Sequence, residues 1–366
     1  MEVHFLDVGQ GLSILAMSED EVLIYDGGDR SSSDFVVSYL KKQGVEKINY
    51  LISSHYDSDH VSGLIGCLNV FDVETVIGAD YVHNSSLYES FQKAVTNKDL
   101  TVTHPKVGTS YNFGTGTFTI LSPDTTYSDS NNNSVAIKLT NGDTDFIFMG
   151  DAESESESTM ISSGIDLSCD VLCLGHHGSA SSTSWDLLQA SVPEFAIISC
   201  GADNAHGHPH EETMEKLSSM EIPVFRTDMQ GTITAVSDGS SIEWNVQPCN
   251  DYSSGEDSET ETSESTDTTD SEKSSESSKN SSSDESSESS KNSSSDKSSE
   301  SSKNSSSDKS SESSECSYIL NTSTEKFHLP GCRSVKQMSD KNKKEYTGTR
   351  DDLIDMGYEP CKNCNP

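Results

Sequence analysis

The run Ser53-Ser54-His55-Tyr56-Asp57-Ser58-Asp59-His60 constrains this chain more than any other stretch. It follows the apolar residues Tyr50-Leu51-Ile52 and leads into helical apolar spacing from Val61, so two imidazoles and two carboxylates arrive at a strand-to-helix junction. Buried without partners, such groups cost several kcal/mol each. Either they lie in solvent, with Asp59 as a helix cap, or they hold a cation. Alternate residues of an extended loop project to one side, which lets His55 and Asp57 share one ion while Asp59 and His60 face a second. Imidazole nitrogen with carboxylate oxygen suits zinc, manganese or iron.

Three more strand ends carry the same residue types. Gly150-Asp151 follows the strand Asp145–Met149, His176-His177-Gly178-Ser179 follows Val171–Leu174, and Asn204–Pro209, with His206 and His208, follows Phe195–Ser199. If the backbone is extended, His176 and His177 point opposite ways, so one is a ligand and the other supports it or faces substrate. Strands and helices alternate along residues 1–248, with a hairpin signal at Asn141-Gly142. An α+β sandwich of two mixed sheets covered by helices is predicted. Asp7-Val8-Gly9-Gln10-Gly11 makes a tight turn after the first strand, and His4, His83 and His104 read as ordinary strand or loop residues. Cys67, Cys169, Cys173 and Cys200 sit in apolar runs as buried thiols, so no disulfide framework is expected.

Charge separates the rest of the chain. Residues 1–249 hold 10 Lys+Arg against 36 Asp+Glu, a surface that repels polyanions unless cations intervene. From Ser274 the string SSESSKNSSSDK recurs every 12 residues, and no apolar side chain in it could stack a solenoid. Residues 249–315 are therefore expected to be a disordered tether between a domain at 1–248 and a module at 316–366. That module has too few apolar side chains for a sufficient core and needs a staple. His328-x3-Cys332 and Cys361-x2-Cys364 have the spacing of one tetrahedral structural zinc. A disulfide of Cys361 with Cys364 or Cys332 would leave His328 and a thiol unexplained. No window is apolar enough to span a membrane, and no leader is expected because a strand starts at Val3.

Taken together, FLDVGQG (Phe5–Gly11), LIYDGG ending at Gly28, SSHYDSDHVSGL, NNNS (Asn131–Ser134), MGD (Met149–Asp151), LGHHGS and HGHP resemble the metallo-β-lactamase superfamily, and more narrowly the hydrolase domain of the ComEC competence family. The resemblance implies a four-layer αββα sandwich with two divalent ions, zinc or manganese, between the sheets. It implies that His55 and Asp57 bind one ion and Asp59 and His60 the other, with Asp151 bridging and His176 or His177 completing the second site. Asp26 would orient the histidines, with Asp7 and Asn133 in supporting positions. Asp57 stands where most of the superfamily has histidine, and the first site's usual third histidine has no counterpart. The implied chemistry is hydrolysis by metal-activated water, with Asp59 as proton acceptor and His208 stabilising charge or protonating the leaving group. DNA is the expected substrate, with small phosphodiesters or other esters, or metal-dependent nucleic-acid binding without catalysis, as alternatives. The FHLPGC…GYEPCKNCNP pattern resembles the zinc module of the Ada DNA-repair family, and Arg333, Lys336, Lys341, Lys343 and Lys344 group there as a basic patch. A monomer is expected, at the cell surface or outside it, with the cytoplasm as the alternative.

Overall fold

The computed structural model describes residues 1–255 and 316–366, except 323, 325, 331, 333, 336–337, 339–341, 362–363 and 365–366. The serine-rich repeats, read from sequence as a tether, lie outside the described residues.

The first sheet contains β1 (Glu2–Phe5), β2 (Ile14–Ser18), β3 (Glu21–Tyr25), β4 (Lys47–Ser53), β5 (Asp72–Gly78), β6 (Val102–Thr103), β14 (Ile233–Ser237) and β15 (Ile242–Trp244). Their order is β15-β14-β1-β2-β3-β4-β5-β6. The second sheet contains β7 (Ser110–Phe113), β8 (Gly116–Ile120), β9 (Ile137–Asn141), β10 (Thr144–Phe148), β11 (Val171–Cys173), β12 (Phe195–Ile198) and β13 (Val224–Arg226), in the order β13-β12-β11-β10-β9-β8-β7. In each, strands that pair parallel with a neighbour follow a helical crossover, while hairpins give the antiparallel part.

Side-chain alternation shows how the layers stack. On β10, Phe146 and Phe148 face the core between the sheets, while Ile147 packs outward in a second core with Met160, Leu187, Leu188, Met214 and Leu217. Those residues belong to α4 (Ser154–Ser162), α5 (Trp185–Ser191) and α6 (Glu211–Ser219). Val36, Leu64 and Phe91, from α1 (Ser33–Lys42), α2 (Ser58–Val70) and α3 (Ser86–Thr96), pack with the first sheet. Phe5 and Tyr25 meet Phe148 edge-to-face across the sandwich, with ring centroids 6.1 and 5.6 Å apart. This is the αββα sandwich expected from the sequence. The two-residue β6 and the single turn α7 (Thr227–Gln230) are too short to have left a periodic signal.

Residues 316–366 contain β16 (Cys316–Asn321), β17 (Lys326–His328), β18 (Lys343–Gly348), α8 (Arg350–Asp355) and β19 (Glu359–Pro360), with sheet order β18-β16-β17-β19. The sequence reading of Phe327–Cys332 as a turn is corrected at its start. Phe327 and His328 continue a strand because Leu320 and Ile319 pair with them from β16. Phe327 packs with Tyr318, Leu320 and Leu353 in a small apolar cluster.

Backbone contact fixes the start of α2. Gly27 N–H donates to His60 O at 2.7 Å and Gly63 N–H to Gly28 O at 3.3 Å. A Cβ on Gly63 would lie 1.8 Å from Gly27 O. Gly63→Ala must therefore separate α2 from the end of β3, and it is expected to destabilise the protein by about 3 kcal/mol or more. The check is the urea midpoint of the variant, and a midpoint within error of wild type would contradict the packing.

Candidate metal centre

Every group of the opening motif arrives at one end of the sandwich because β4 ends there and α2 begins. Asp57 is the N-cap residue of α2 but makes no side-chain cap, and Asp59 lies in the first turn, so neither carboxylate serves as the cap that the plainer sequence reading required. Asp26, at the end of β3, is fully buried and adopts a left-handed φ of 57°. Its carboxylate accepts from Ser54 N–H at 2.7 Å and Ser54 Oγ at 2.7 Å, and meets His60 Nδ1 at 2.8 Å. That contact turns His60 Nε2 toward Asp151, 3.1 Å from Oδ1. Ser54 Oγ and Ser134 Oγ lie 3.0 and 3.4 Å from His55 Nδ1 and leave its Nε2 facing Asp57 and Asp151, at 3.6 and 4.0 Å.

The adjacent histidines differ. His177 is buried, donates Nδ1–H to Ser199 O at 2.8 Å, and brings Nε2 to 3.4 Å from Asp59, 3.6 Å from Asp151 and 3.3 Å from His60 Nε2. His176 is tied by Nδ1 to Glu153 at 3.0 Å and reaches Asp151 only at 3.8 Å. Their φ values of 49° and 55° are both left-handed, so the extended geometry assumed from the sequence does not apply.

Two expected supporting residues stand elsewhere. Asp7 is exposed and accepts from Gly9 N–H at 3.3 Å, shaping the turn without touching the cluster. From that turn it is Gln10 that reaches inward, its Nε2 3.3 Å from His208 Nδ1. Asn133 accepts from Tyr127 N–H and donates to Tyr127 O and Asp129 O, bracing its own loop. Its neighbours face the site instead: Ser134 Oγ accepts from Asp151 N–H, and Asn131 Nδ2 donates to Glu153 at 3.1 Å. His83, taken as an ordinary loop residue, was missed. It comes from the loop before α3, with Nε2 3.3 Å from Asp57 Oδ1 and Nδ1 2.8 Å from Ser85 Oγ. Its imidazole stands on the Asp57 side, where the sequence offered no third histidine. Glu153 was also missed, since nothing in an acidic helix start marks one carboxylate as a partner of His176.

Asp57, Asp59, Asp151, His176 and His177 form the floor of a cleft of about 680 Å³, whose walls include His83, Asn131 and His208. The ligand atoms of His55, His60 and Asp151 lie within 4.8 Å of one another, as do those of Asp59, His60 and His177. His55 Nε2 is buried without a hydrogen-bond partner, and Asp151 Oδ1, buried beside His60 Nε2 at 3.1 Å, makes no well-directed hydrogen bond. Buried polar atoms left facing a common point, all nitrogen and oxygen, fit divalent ions of the zinc or manganese kind. Burial with the neighbouring imidazoles His177, His176, His210 and His206 pushes His208 down to about 3, which favours its neutral ring.

A second cluster joins His328, Cys332, Cys361 and Cys364, whose ligand atoms also lie within 4.8 Å of one another. Cys332 Sγ and Cys361 Sγ are 4.0 Å apart, close to the separation of about 3.8 Å that two thiolates have on one tetrahedral zinc. All three cysteines are free, so the disulfide alternative is not formed. His328 is fully buried with neither ring nitrogen hydrogen-bonded.

Residues 6–202 match the family model described as the metallo-beta-lactamase superfamily. ComE operon protein 3 of Bacillus subtilis (strain 168) is 29% identical over 251 residues, covering 63% of this chain and 32% of that protein. Competence protein ComA of Neisseria gonorrhoeae is 28% identical over 230 residues, covering 62% and 31%. The chain thus spans about a third of the length of these relatives. Among solved structures, the metallo-beta-lactamase fold protein YhfI of Bacillus subtilis matches with a TM-score of 0.42 and 18% identity, over 62% of this chain and 96% of that one.

The cluster's electrostatics give a pH signature. Burial alone would push the Asp59 and Asp151 carboxyls up, but His60 and His177 hold both below the ordinary range. Burial alone would push His60 and His177 down, but Asp151 and Asp59 hold both up. Depressed carboxylates contribute stability above about pH 3.9 that is lost as pH falls through their folded values; raised imidazoles contribute stability below about pH 6.5 that is lost as pH rises through theirs. In EDTA, the urea midpoint is therefore expected to fall as pH rises above about 6.5, as protons leave His60 and His177. An ion replaces those protons, so the gap to zinc-loaded protein should widen with pH. A gap that narrows over that range would contradict the assignment.

Proposed function

The chain belongs to the metallo-β-lactamase superfamily, and from this we propose that it is a metal-dependent hydrolase, a phosphodiesterase acting on DNA. The observation that carries the reading is the buried gathering of His55, His60 and His177 around Asp151, whose carboxylate lines an open cleft. A relative named as a competence protein supports DNA as the phosphodiester.

On this reading His55, Asp57, Asp59, His60, Asp151 and His177 would hold two divalent ions, His55 and Asp57 on one side of the cluster and Asp59, His60 and His177 on the other. Bound divalent ions supply a hydroxide nucleophile near neutral pH and neutralise charge on a phosphoryl oxygen. The chain's own residues supply the rest. Asp26, Ser54 and the Ser199 carbonyl fix the ring orientations of His55, His60 and His177 before substrate arrives. Asp59, held ionised, accepts the proton of the attacking water. Neutral His208, aligned by Gln10, hydrogen-bonds a substrate oxygen, and Glu153 holds His176 beside it. Ada-like zinc binding by His328, Cys332, Cys361 and Cys364 staples the C-terminal module, whose lysines and arginine help retain DNA near the cleft.

A small-phosphodiester hydrolase is the second reading, favoured by how few groups in the described cleft are basic. The test is cleavage of single- and double-stranded DNA and of bis-p-nitrophenyl phosphate, with added manganese or zinc and with EDTA. Asp59→Asn and Asp151→Asn are each expected to lower the rate of DNA cleavage by roughly 100-fold or more, and EDTA to abolish it. Undiminished cleavage in either variant would sink the mechanism, and cleavage of the small ester alone would leave the second reading.

A further inference from the structure

Glu221 sits where a carboxylate is conformationally unwelcome. It follows α6, beyond its C-cap residue Met220, with a left-handed φ of 56°. Glycine and asparagine relieve such positions, whereas a glutamate keeps its Cβ against the backbone. The end of α6 holds the backbone there, with Ile222 N–H donating to Leu217 O and Glu221 N–H to Ser218 O, both at 3.0 Å, and the side chain is taken up by the C-terminal module. Glu221 Oε1 accepts from Thr324 Oγ1 at 2.7 Å and from Asn321 Nδ2 at 3.4 Å. Lys326 Nζ donates to Ser219 O at 2.9 Å in the last turn of α6. Most telling, Glu221 Oε2 lies 3.4 Å from Nε2 of His328, a member of the cysteine cluster.

His328 is fully buried, and neither of its ring nitrogens has a well-formed hydrogen bond. A buried imidazole needs both nitrogens satisfied. The carboxylate stands beside Nε2, and a ring nitrogen lies within 4.8 Å of the thiols of Cys332, Cys361 and Cys364. A ligating histidine ordinarily gives its second ring N–H to a carboxylate or carbonyl, which fixes the tautomer and strengthens the ligand.

We propose that Glu221 completes the C-terminal metal site from the hydrolase domain. Its carboxylate accepts the His328 Nε2–H, leaving Nδ1 for the ion, so metal binding and docking of the module on the end of α6 are one linked event. Glu221 is a positioning residue, and the inference rests on zinc binding by His328, Cys332, Cys361 and Cys364.

The full chain is titrated with Co²⁺, following the near-ultraviolet thiolate-to-cobalt absorption. The His/Asp cluster contains no thiolate and is silent in this band. Hydrogen exchange of residues 316–328 and 219–224 is followed in parallel. Wild-type protein is expected to develop the band. Glu221→Gln is expected to keep it but to bind Co²⁺ at this site about 10- to 100-fold more weakly, with faster exchange in both segments. Glu221→Asp keeps the charge but is one methylene shorter, and the same direction of change is expected. Wild-type affinity and exchange in both variants, with the band intact, overturn the role of Glu221 alone. A wild-type protein without the band overturns the zinc reading beneath it.

Discussion

The carboxylate of Asp26 lies out of water and is shared by the backbone and hydroxyl of Ser54 and by the His60 ring. An isolated buried carboxylate is unstable by several kcal/mol, and these contacts offset that cost while joining three elements: the end of β3, the end of β4 and the first turn of α2. Because Ser54 Oγ also approaches His55 Nδ1, one buried charge sets the orientation of two candidate ligand rings. The left-handed backbone at Asp26 is consistent with strain being tolerated where function requires it. The site is a consequence of this junction more than of any single ligand.

What the sequence revealed follows from how local each signal is. The alternation of Phe146, Ile147 and Phe148 marks a strand covered on both faces, and each face meets a different core. The eight residues from Ser53 to His60 declare themselves because imidazole and carboxylate cannot be packed idly. Residues contributed from elsewhere carry no such mark. His83 is 26 positions from Asp57 in a polar loop, and the packing of α3 beside α2 brings the two to 3.3 Å. Asp7 and Asn133 misled because a place in a motif describes the backbone as often as the chemistry: both spend their side chains on loop amides and carbonyls. The tie between His176 and His177 was undecidable from sequence because it rested on an extended backbone, and two left-handed residues in succession could not be foreseen.

Charge gives the candidate ions a second duty. The segment 1–249 is strongly acidic, and Asp29, Asp57, Asp59 and Asp151 all border the cleft. A polyanion approaching the ion-free protein meets carboxylates first, so on the proposed reading cations at the floor admit the substrate before they take part in its hydrolysis. The two clusters also differ in kind. The sandwich has an extensive apolar core without metal, whereas the apolar cluster of the C-terminal module, among the described residues, is Tyr318, Leu320, Phe327 and Leu353, so an ion there would carry a larger share of folding than an ion in the cleft.

The glycine contact between α2 and the end of β3 divides the site by adaptability. Gly63 and Gly27 meet backbone to backbone, and Leu12 N–H holds Asp59 O at 3.2 Å, so no side chain stands between these segments to be exchanged. The half of the site bearing His55, Asp59 and His60 is welded to the scaffold. The half bearing His83, His176 and His208 hangs on loops, whose lengths and residues can vary without disturbing the weld. Within one such scaffold, the hydrolytic half would stay constant while the half that chooses substrates drifts.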